Sequence, residues 1–367
     1  MIEKRKIAEK MEELVKKAIE NKVFPGCTIG ISTFFEEKRE TTFHSFGSLD
    51  YGDGKNDTLT LYDLASLTKP LSTTLSILTL INKNIIKYES LLEDLLETTV
   101  PRDKKNINLY SLLNHSSGLA AYQPFYKKMV KGNFIKNNSE IVGKILSLPL
   151  EYETLKKQVY SDLGFILLGK IVEKKGKPLD KFSRTYIYKP LGIDKSIFFN
   201  GSNLQKMDGV FAPTEKCKRR KKTICGQVHD DNAYALGGVC GHAGLFANIH
   251  GVTNLVTALV DAIKGRKDFK VIDREDLLKS VKRQSEIGSW GLGFDTPSEQ
   301  SSSGRFFSKS SFGHLGFTGT SFWTDLERDI SIVLLTNRTY PSRDNNKIRK
   351  FRPVFHDLIM GLLLKSY

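Results

Sequence analysis

The sequence predicts an α+β fold in which one sheet is built from both ends of the chain and a mostly helical segment is inserted between them. Strand patterns occupy Cys27–Thr33 and Thr41–Phe46 near the start. They return only late, at Thr318–Thr324 and Ile330–Leu335, which flank Asp325–Asp329 and read as a hairpin. The stretch from about residue 85 to residue 240 carries mainly helical and loop-like patterns. Residues 1–84 and 241–367 are therefore expected to form a sheet unit, and residues 85–240 a helical one.

In chain order, Ile7, Met11, Leu14, Val15, Ala18 and Ile19 recur at helical spacing, which predicts a surface helix over residues 3–20. Phe24-Pro25-Gly26 breaks it, and the charged run Glu36-Glu37-Lys38-Arg39-Glu40 joins the first two strands. Thr58–Leu64 leads into Ser66, from which a helix should run to about Ile81. Pro70 falls in its first turn, where a missing N–H does least harm. Leu163, Ile166, Leu167 and Ile171 make one apolar helical face, stopped by Gly176. A closing helix presents Ile348, Phe351, Phe355, Leu358, Ile359 and Leu362 on one side. The chain shows no internal repeat and no flexible linker.

With 367 residues, 40% of them hydrophobic and 26% charged, the chain can bury a sizeable core as one large or two interleaved domains. The net charge of +15 raises the question of a nucleic-acid partner. Its lysines and arginines are scattered, however, and only Lys216-Cys217-Lys218-Arg219-Arg220-Lys221-Lys222 is dense. That run has no interleaved aromatic residues, so a solvated loop is the better reading and no nucleic-acid partner is expected. Long-range attraction of anionic substrates remains open. Cys27, Cys217, Cys225 and Cys240 match no zinc spacing and suggest no oxidising compartment. The start, Met1–Lys6, lacks the apolar core of a signal peptide, and no apolar run reaches the ~20 residues of a membrane span. A cytoplasmic protein with no membrane partner is expected; its oligomeric state is open.

Three short motifs carry the chemistry. In Ser66-Leu67-Thr68-Lys69, a three-residue spacing on a helix puts Lys69 on the face of Ser66. Serine is a weak nucleophile until a base takes its proton, and a desolvated lysine can serve. A helix N-terminus there would also favour a developing oxyanion. Alone, the motif reads better as a serine cap with a surface lysine. Tyr160-Ser161-Asp162 supplies a second candidate base: a tyrosine near a cationic lysine can relay protons. It reads otherwise as a core tyrosine, except that Ser161-Asp162-Leu163-Gly164 opens a helix. Gly313-His314-Leu315-Gly316-Phe317-Thr318-Gly319 precedes a predicted strand, and its glycines allow close backbone approach to a ligand. The three motifs follow in the order expected of penicillin-recognising serine enzymes. That order outweighs the structural reading of each.

Leu112–Leu119 stands out without an assigned role. His229, Asp230 and His242 could be offered as metal ligands, but no H-E-x-x-H or similar spacing supports them. Hydrogen bonding that shapes loops at a cleft is the better reading, so no metal and no cofactor is expected. The regions 120–150 and 203–235 are expected to shape the pocket.

On these residues the chain resembles the serine β-lactamase and penicillin-binding protein superfamily, in particular the group with class C β-lactamases, D-alanyl-D-alanine carboxypeptidases and related esterases. The likeness runs from Phe24-Pro25-Gly26 through Leu113–Leu119 and Lys189-Pro190-Leu191-Gly192 to the C-terminal helix. It implies a β-lactamase-like fold: an antiparallel sheet flanked by helices plus a mostly helical domain, with the active site between them. It also implies Ser66 as acylated nucleophile, Lys69 as its proton acceptor and Tyr160 as general base and proton shuttle. His314 would stand where many relatives carry lysine, and the N–H groups of Ser66 and Phe317 would form the oxyanion hole. Asp162, Gly316 and Thr318 would contact substrate. The strings Val228–Asn232, Gly241–Phe246, Phe312–Trp323 and Leu335–Arg338 resemble a narrower branch of serine hydrolases, some similar to amidases that recycle muropeptides in the cytoplasm.

Departures from the pattern are informative. Asp162 stands where many relatives have asparagine, and an ionised carboxylate donates no hydrogen bond. It is placed to hold Lys69 charged, which would favour Tyr160 as base. Leu315 replaces a hydroxyl residue, and His314 is expected to be only partly charged near neutral pH. Poor β-lactamase activity follows. The expected activity is hydrolysis of a small ester or amide through an acyl-Ser66 intermediate. A protein that acylates without turnover is the rival reading.

Overall fold

The computed structural model describes residues 2–201 and 208–366. Residues 203–207 of the expected pocket-shaping loop 203–235 lie outside the described residues. Five antiparallel strands form the main sheet: β1 (Gly26–Phe35), β2 (Lys38–Gly47), β3 (Phe312–Leu315), β4 (Ser321–Asp325) and β5 (Ile330–Thr336). Their order is β2-β1-β5-β4-β3, so both ends of the chain do build one sheet. The central strand β5 is buried on both faces. Ile330, Ile332 and Leu334 pack to one side and Val333 and Leu335 to the other, the two-residue period of a strand.

Two helices from opposite ends of the chain cover the first face, α1 (Ile2–Glu20) and α5 (Ile348–Ser366). Met11, Val15, Phe355 and Ile359 meet Ile29, Ile31 and Trp323 beneath them. On the second face lies α4 (Ile249–Ile263), seated close on β1. A Cβ built on Gly30 would stand 2.2 Å from Thr253 Oγ1. Beyond α4 the core continues into the helical region, which includes α2 (Leu75–Asn82) and α3 (Asp162–Lys175).

Several expectations are corrected. The first hairpin is longer: pairing runs to Phe35↔Lys38, and only Glu36 and Glu37 form the turn. Both have left-handed φ, 48° and 59°, the backbone of a two-residue turn that follows strand twist. The predicted strand Thr318–Thr324 begins only at Ser321, because the glycine-rich run is itself edge strand β3 as far as Leu315 and turns through Gly316–Thr320. Gly313 also pairs with Asp295, N–H to O in both directions at 2.8 and 2.9 Å. The predicted Ser66–Ile81 helix is helical throughout but not uniform. A 3-10 turn at Ala65–Leu67 passes into a π-helical Lys69–Thr74 and only then into α2. The extra residue per turn appears beside Pro70, which has no N–H to offer a regular ladder.

A second, three-stranded sheet joins Tyr62–Asp63, Leu245–Ala247 and Ile197–Phe199. Backbone hydrogen bonds thus bridge the boundaries drawn at residues 84 and 240. The basic run is a hairpin, solvated at Lys216, Lys218, Arg219, Lys221 and Lys222 as expected but not at Arg220. Glu215–Cys217 and Lys222–Ile224 form a hairpin whose Arg220 side chain is 4% exposed. Arg220 donates to the Val228 and His229 carbonyls and to Asp231, and lies 3.9 Å over the Tyr234 ring.

Candidate active site

Ser66 enters the site from a backbone that the surroundings hold in an uncommon conformation. Ala65, just before it, has φ +47°, a cost normally accepted only where neighbours enforce it. The buried Asp63 carboxylate accepts from Ala65 N–H at 2.9 Å and from His229 N–H at 2.6 Å. Thr320 Oγ1 donates to Leu64 O, and Thr68 Oγ1 to Ala65 O. Ser66 itself is partly exposed at the floor of a cleft of about 750 Å³.

Lys69 is fully buried beneath it. Its Nζ donates to Ser66 Oγ at 3.0 Å, Asp162 Oδ1 at 2.7 Å and His242 O at 3.3 Å, and also to Tyr160 Oη. Burial disfavours the ammonium form, but the Asp162 carboxylate and Tyr160 outweigh it and raise the lysine pKa. The ordinary reading of a lysine made basic by desolvation therefore fails: this one stays charged. Burial pushes Tyr160 up to about 12, against the pull of the Lys69 charge. At neutral pH the resting site holds a charged lysine and a neutral tyrosine.

The second motif is placed by a helix cap. Ser161 Oγ accepts from Gly164 N–H at 3.2 Å, so Asp162 becomes the first residue of α3. Ser161 Oγ also donates to Ala120 O, and its N–H donates to His115 Nδ1 at 3.1 Å. Tyr160 and Asp162 are thereby aimed at Lys69 from one side, while Ser161 faces the core.

His314 is brought to the cleft but not as a charged group. It is 2% exposed, its Nδ1–H donates to Leu315 O at 2.9 Å, and Nε2 has no partner. Burial, reinforced by the Lys69 charge, pushes its pKa down to about 3. The expectation of a partly charged histidine is corrected: it is neutral. It belongs to a group of four rings with His115, Tyr160 and Trp290, at centroid separations of 4.6 to 6.0 Å.

Phe317 is half exposed on the cleft wall. Among the described residues no backbone acceptor engages the Ser66 or Phe317 N–H. Gly316 lines the same wall and tolerates nothing larger: a Cβ there would stand 2.0 Å from Thr320 Oγ1 and 2.5 Å from Leu64 O. Thr318 does not present its hydroxyl to the cleft. It is fully buried and donates to Asp63 O at 2.6 Å. Asp162 likewise faces Lys69 as an ion-pair partner.

Residues that the motifs did not announce complete the walls. Trp290, Asp295, Arg338, Arg349 and Arg352 line the cleft with Ser66 and Tyr160. His115 lay in the flagged Leu112–Leu119 segment, and Arg338 in Leu335–Arg338; for Trp290 and Asp295 the sequence offered no signal. His229 pairs with Glu215 at 3.1 Å and His242 with Asp230 at 2.8 Å. Among the described residues no group of three or more His, Cys, Asp or Glu is arranged to hold a metal ion.

The geometry is matched by kinship. Residues 11–353 fit the family described as Beta-lactamase. A provisionally named D-alanyl-D-alanine carboxypeptidase of Salmonella typhimurium is 32% identical over 79% of this chain and 72% of its own. Among solved structures, EstCE1, "a hydrolase with promiscuous acyltransferase activity", superposes with a TM-score of 0.72 at 19% identity, covering 96% of this chain and 100% of its own. The octameric penicillin-binding protein homologue of Pyrococcus abyssi reaches 0.72 at 19% identity, over 98% of this chain and 77% of its own. These two likenesses speak to the fold. With the family match and the Salmonella relative, they place the chain in the β-lactamase family, as a serine hydrolase.

Proposed function

We propose that the chain hydrolyses a small ester or amide through an acyl-Ser66 intermediate, with Tyr160 as base. The observation that carries this is the position of Lys69 Nζ, within hydrogen-bond reach of Ser66 Oγ, Tyr160 Oη and Asp162 Oδ1 together. A lysine held charged by Asp162 is a poor proton acceptor; it stabilises the Tyr160 phenolate instead. In the fraction of molecules whose Tyr160 has lost its proton to solvent, the phenolate takes the Ser66 proton as Oγ bonds to the substrate carbonyl carbon. The carbonyl oxygen becomes an oxyanion, received by the N–H groups of Ser66 and Phe317. Collapse breaks the bond to the leaving group, which takes the proton from Tyr160. Water then gives its proton to Tyr160 and attacks the acyl carbon; the bond to Ser66 Oγ breaks, and Oγ takes that proton from Tyr160, which restores the phenolate.

Lys69 is thus assigned to holding charge, not to accepting a proton. The neutral His314 is assigned to the cleft wall. The relatives' carboxypeptidase name supports an amide among the bonds cleaved, and the neighbour EstCE1 supports an ester. The four cysteines are free thiols, which supports a reducing compartment such as the cytoplasm. Among the described residues no helix is long and apolar enough to cross a membrane.

The direct test is intact mass after incubation with a fluorophosphonate probe, comparing the wild type with Ser66→Ala, alongside hydrolysis of p-nitrophenyl acetate. The expected result is one adduct that the variant lacks, and a fall in turnover of roughly 10³-fold or more. Persistent turnover in Ser66→Ala would overturn the assignment. Stoichiometric labelling without wild-type turnover would identify a protein that acylates and stops.

A further inference from the structure

The cleft contains charge of both signs, with Arg338 and Arg352 buried, for which no ion pair is found among the described residues. Arg352 is 5% exposed, its Nη2 is committed to the Gly316 and Thr320 carbonyls, and its Nε has no partner. Arg338 donates to the carbonyls of Phe317, Arg343 and Asn345. The charges that act on these two guanidiniums are other arginines, Arg349 among them, and burial with mutual repulsion pulls both pKa values down, to about 9 and about 10. Arg349 and Arg352 also stand in the first turns of α5, the positive end of its dipole, with no acidic residue there to compensate. A buried guanidinium without a counter-charge is costly, so this wall is built for an anion.

Asp295 is the complement. Ser289 Oγ and the Thr296 N–H both donate to its Oδ1, at 2.6 and 2.9 Å. Arg283, the nearest cation acting on it, is committed to Thr296 Oγ1 and Pro297 O. The Asp295 backbone is paired with Gly313, and Arg352 holds Gly316 O at 2.9 Å. Those anchor points are three residues apart in sequence, Gly313 within β3 and Gly316 just past its end. Between them, strand alternation turns the Leu315 N–H outward, beside a C=O that already accepts from His314 Nδ1: Gly313 bonds away from β4 to Asp295, whereas Gly316 N–H bonds inward to Thr320 O. An extended ligand can pair with that edge.

We propose that the cleft recognises a zwitterionic substrate, an ester or amide whose ammonium end meets Asp295 and whose anionic end meets Arg338, Arg349 and Arg352. This deepens the hydrolase reading and takes the broken bond from it. Asp295 is a specificity-determining residue in this scheme.

The test uses the full chain and four achiral probes: triglycine, N-acetyltriglycine, triglycinamide and N-acetyltriglycinamide. Extended triglycine spans about 10 Å and carries one ammonium and one carboxylate end. Binding is read by calorimetry, which does not depend on turnover. Triglycine should bind roughly tenfold more tightly than either singly blocked form. The penalty for acetylation should vanish in Asp295→Asn, and the penalty for amidation should shrink in Arg349→Gln. Each is read as a ratio within one variant, so a general loss of affinity cancels. Should Asp295→Asn fail to fold, the wild-type ratios decide alone. Equal binding of all four probes, or penalties unchanged in both variants, overturns the proposal. Discrimination by a protein with no Ser66-dependent hydrolysis would support it and sink the hydrolase reading instead.

Discussion

Lys69 Nζ and Asp162 Oδ1 lie 2.7 Å apart, and the lysine has no exposure at all. Burial alone would lower the lysine pKa; the carboxylate reverses the sign. Asp162→Asn removes that reversal without changing shape. An unpaired buried ammonium costs about 3–5 kcal/mol, so Lys69 should shed its proton near neutral pH and become a base itself. The expected outcome is a pH–rate profile for p-nitrophenyl acetate whose rise begins at lower pH than in the wild type. An unmoved profile would show that Asp162 does not set the lysine's charge.

The wild-type profile has its own sign. A base works when deprotonated, and Tyr160 is pushed up to about 12. Below that value the phenolate fraction grows with pH, so kcat/KM should climb from about pH 7 to about pH 9 without levelling. No limb near the ordinary histidine value should appear, because His314 is held neutral down to about 3. Tyr160→Phe should lower kcat/KM by about 10²–10⁴-fold. A plateau from neutral pH in the wild type would sink Tyr160 as base.

Ser66, Lys69, Tyr160 and Asp162 could be read from the sequence because their placement is local. One helical turn fixes Lys69 beneath Ser66, and one serine cap fixes the start of α3. The cationic wall could not be read that way. Arg338 follows β5 and Arg349 and Arg352 open α5, and only the fold brings them to Gly316 and Phe317. β3 was missed for a related reason. Its Gly313 and the Gly316 after it signal a turn, and what makes it a strand is pairing with distant Asp295 and with β4. Within the otherwise exposed Lys216–Lys222 run, composition could not single out Arg220, whose partners at Val228, His229 and Asp231 bury it; no charge count shows them.

That basic hairpin gives a stability prediction. The Arg220 side chain is buried, with four oxygen partners and a tyrosine ring beneath it. Arg220→Gln should lower unfolding stability by about 2–3 kcal/mol, whereas exposed Lys218→Gln should stay within about 0.5 kcal/mol of wild type. Urea denaturation of both variants measures the difference. Equal effects would return the run to the status of a solvated loop.

Thr318 separates a positioning role from a substrate contact. Its hydroxyl holds Asp63 O, and the Asp63 carboxylate holds the N–H of Ala65, one residue before Ser66. Thr318→Val keeps the volume and leaves a buried carbonyl without its donor, a cost of about 1–3 kcal/mol. The strained turn at Ala65 then loosens, and Ser66 loses its aim at Tyr160. The expected result is a lower unfolding midpoint together with a fall in kcat, and recovery of both in Thr318→Ser. A side chain that touched substrate would behave otherwise: KM would rise while the midpoint stayed put. Thermal unfolding and steady-state kinetics on the two variants therefore decide whether the hydroxyl acts on the ligand or, as its direction in the fold requires, on the backbone that carries the nucleophile.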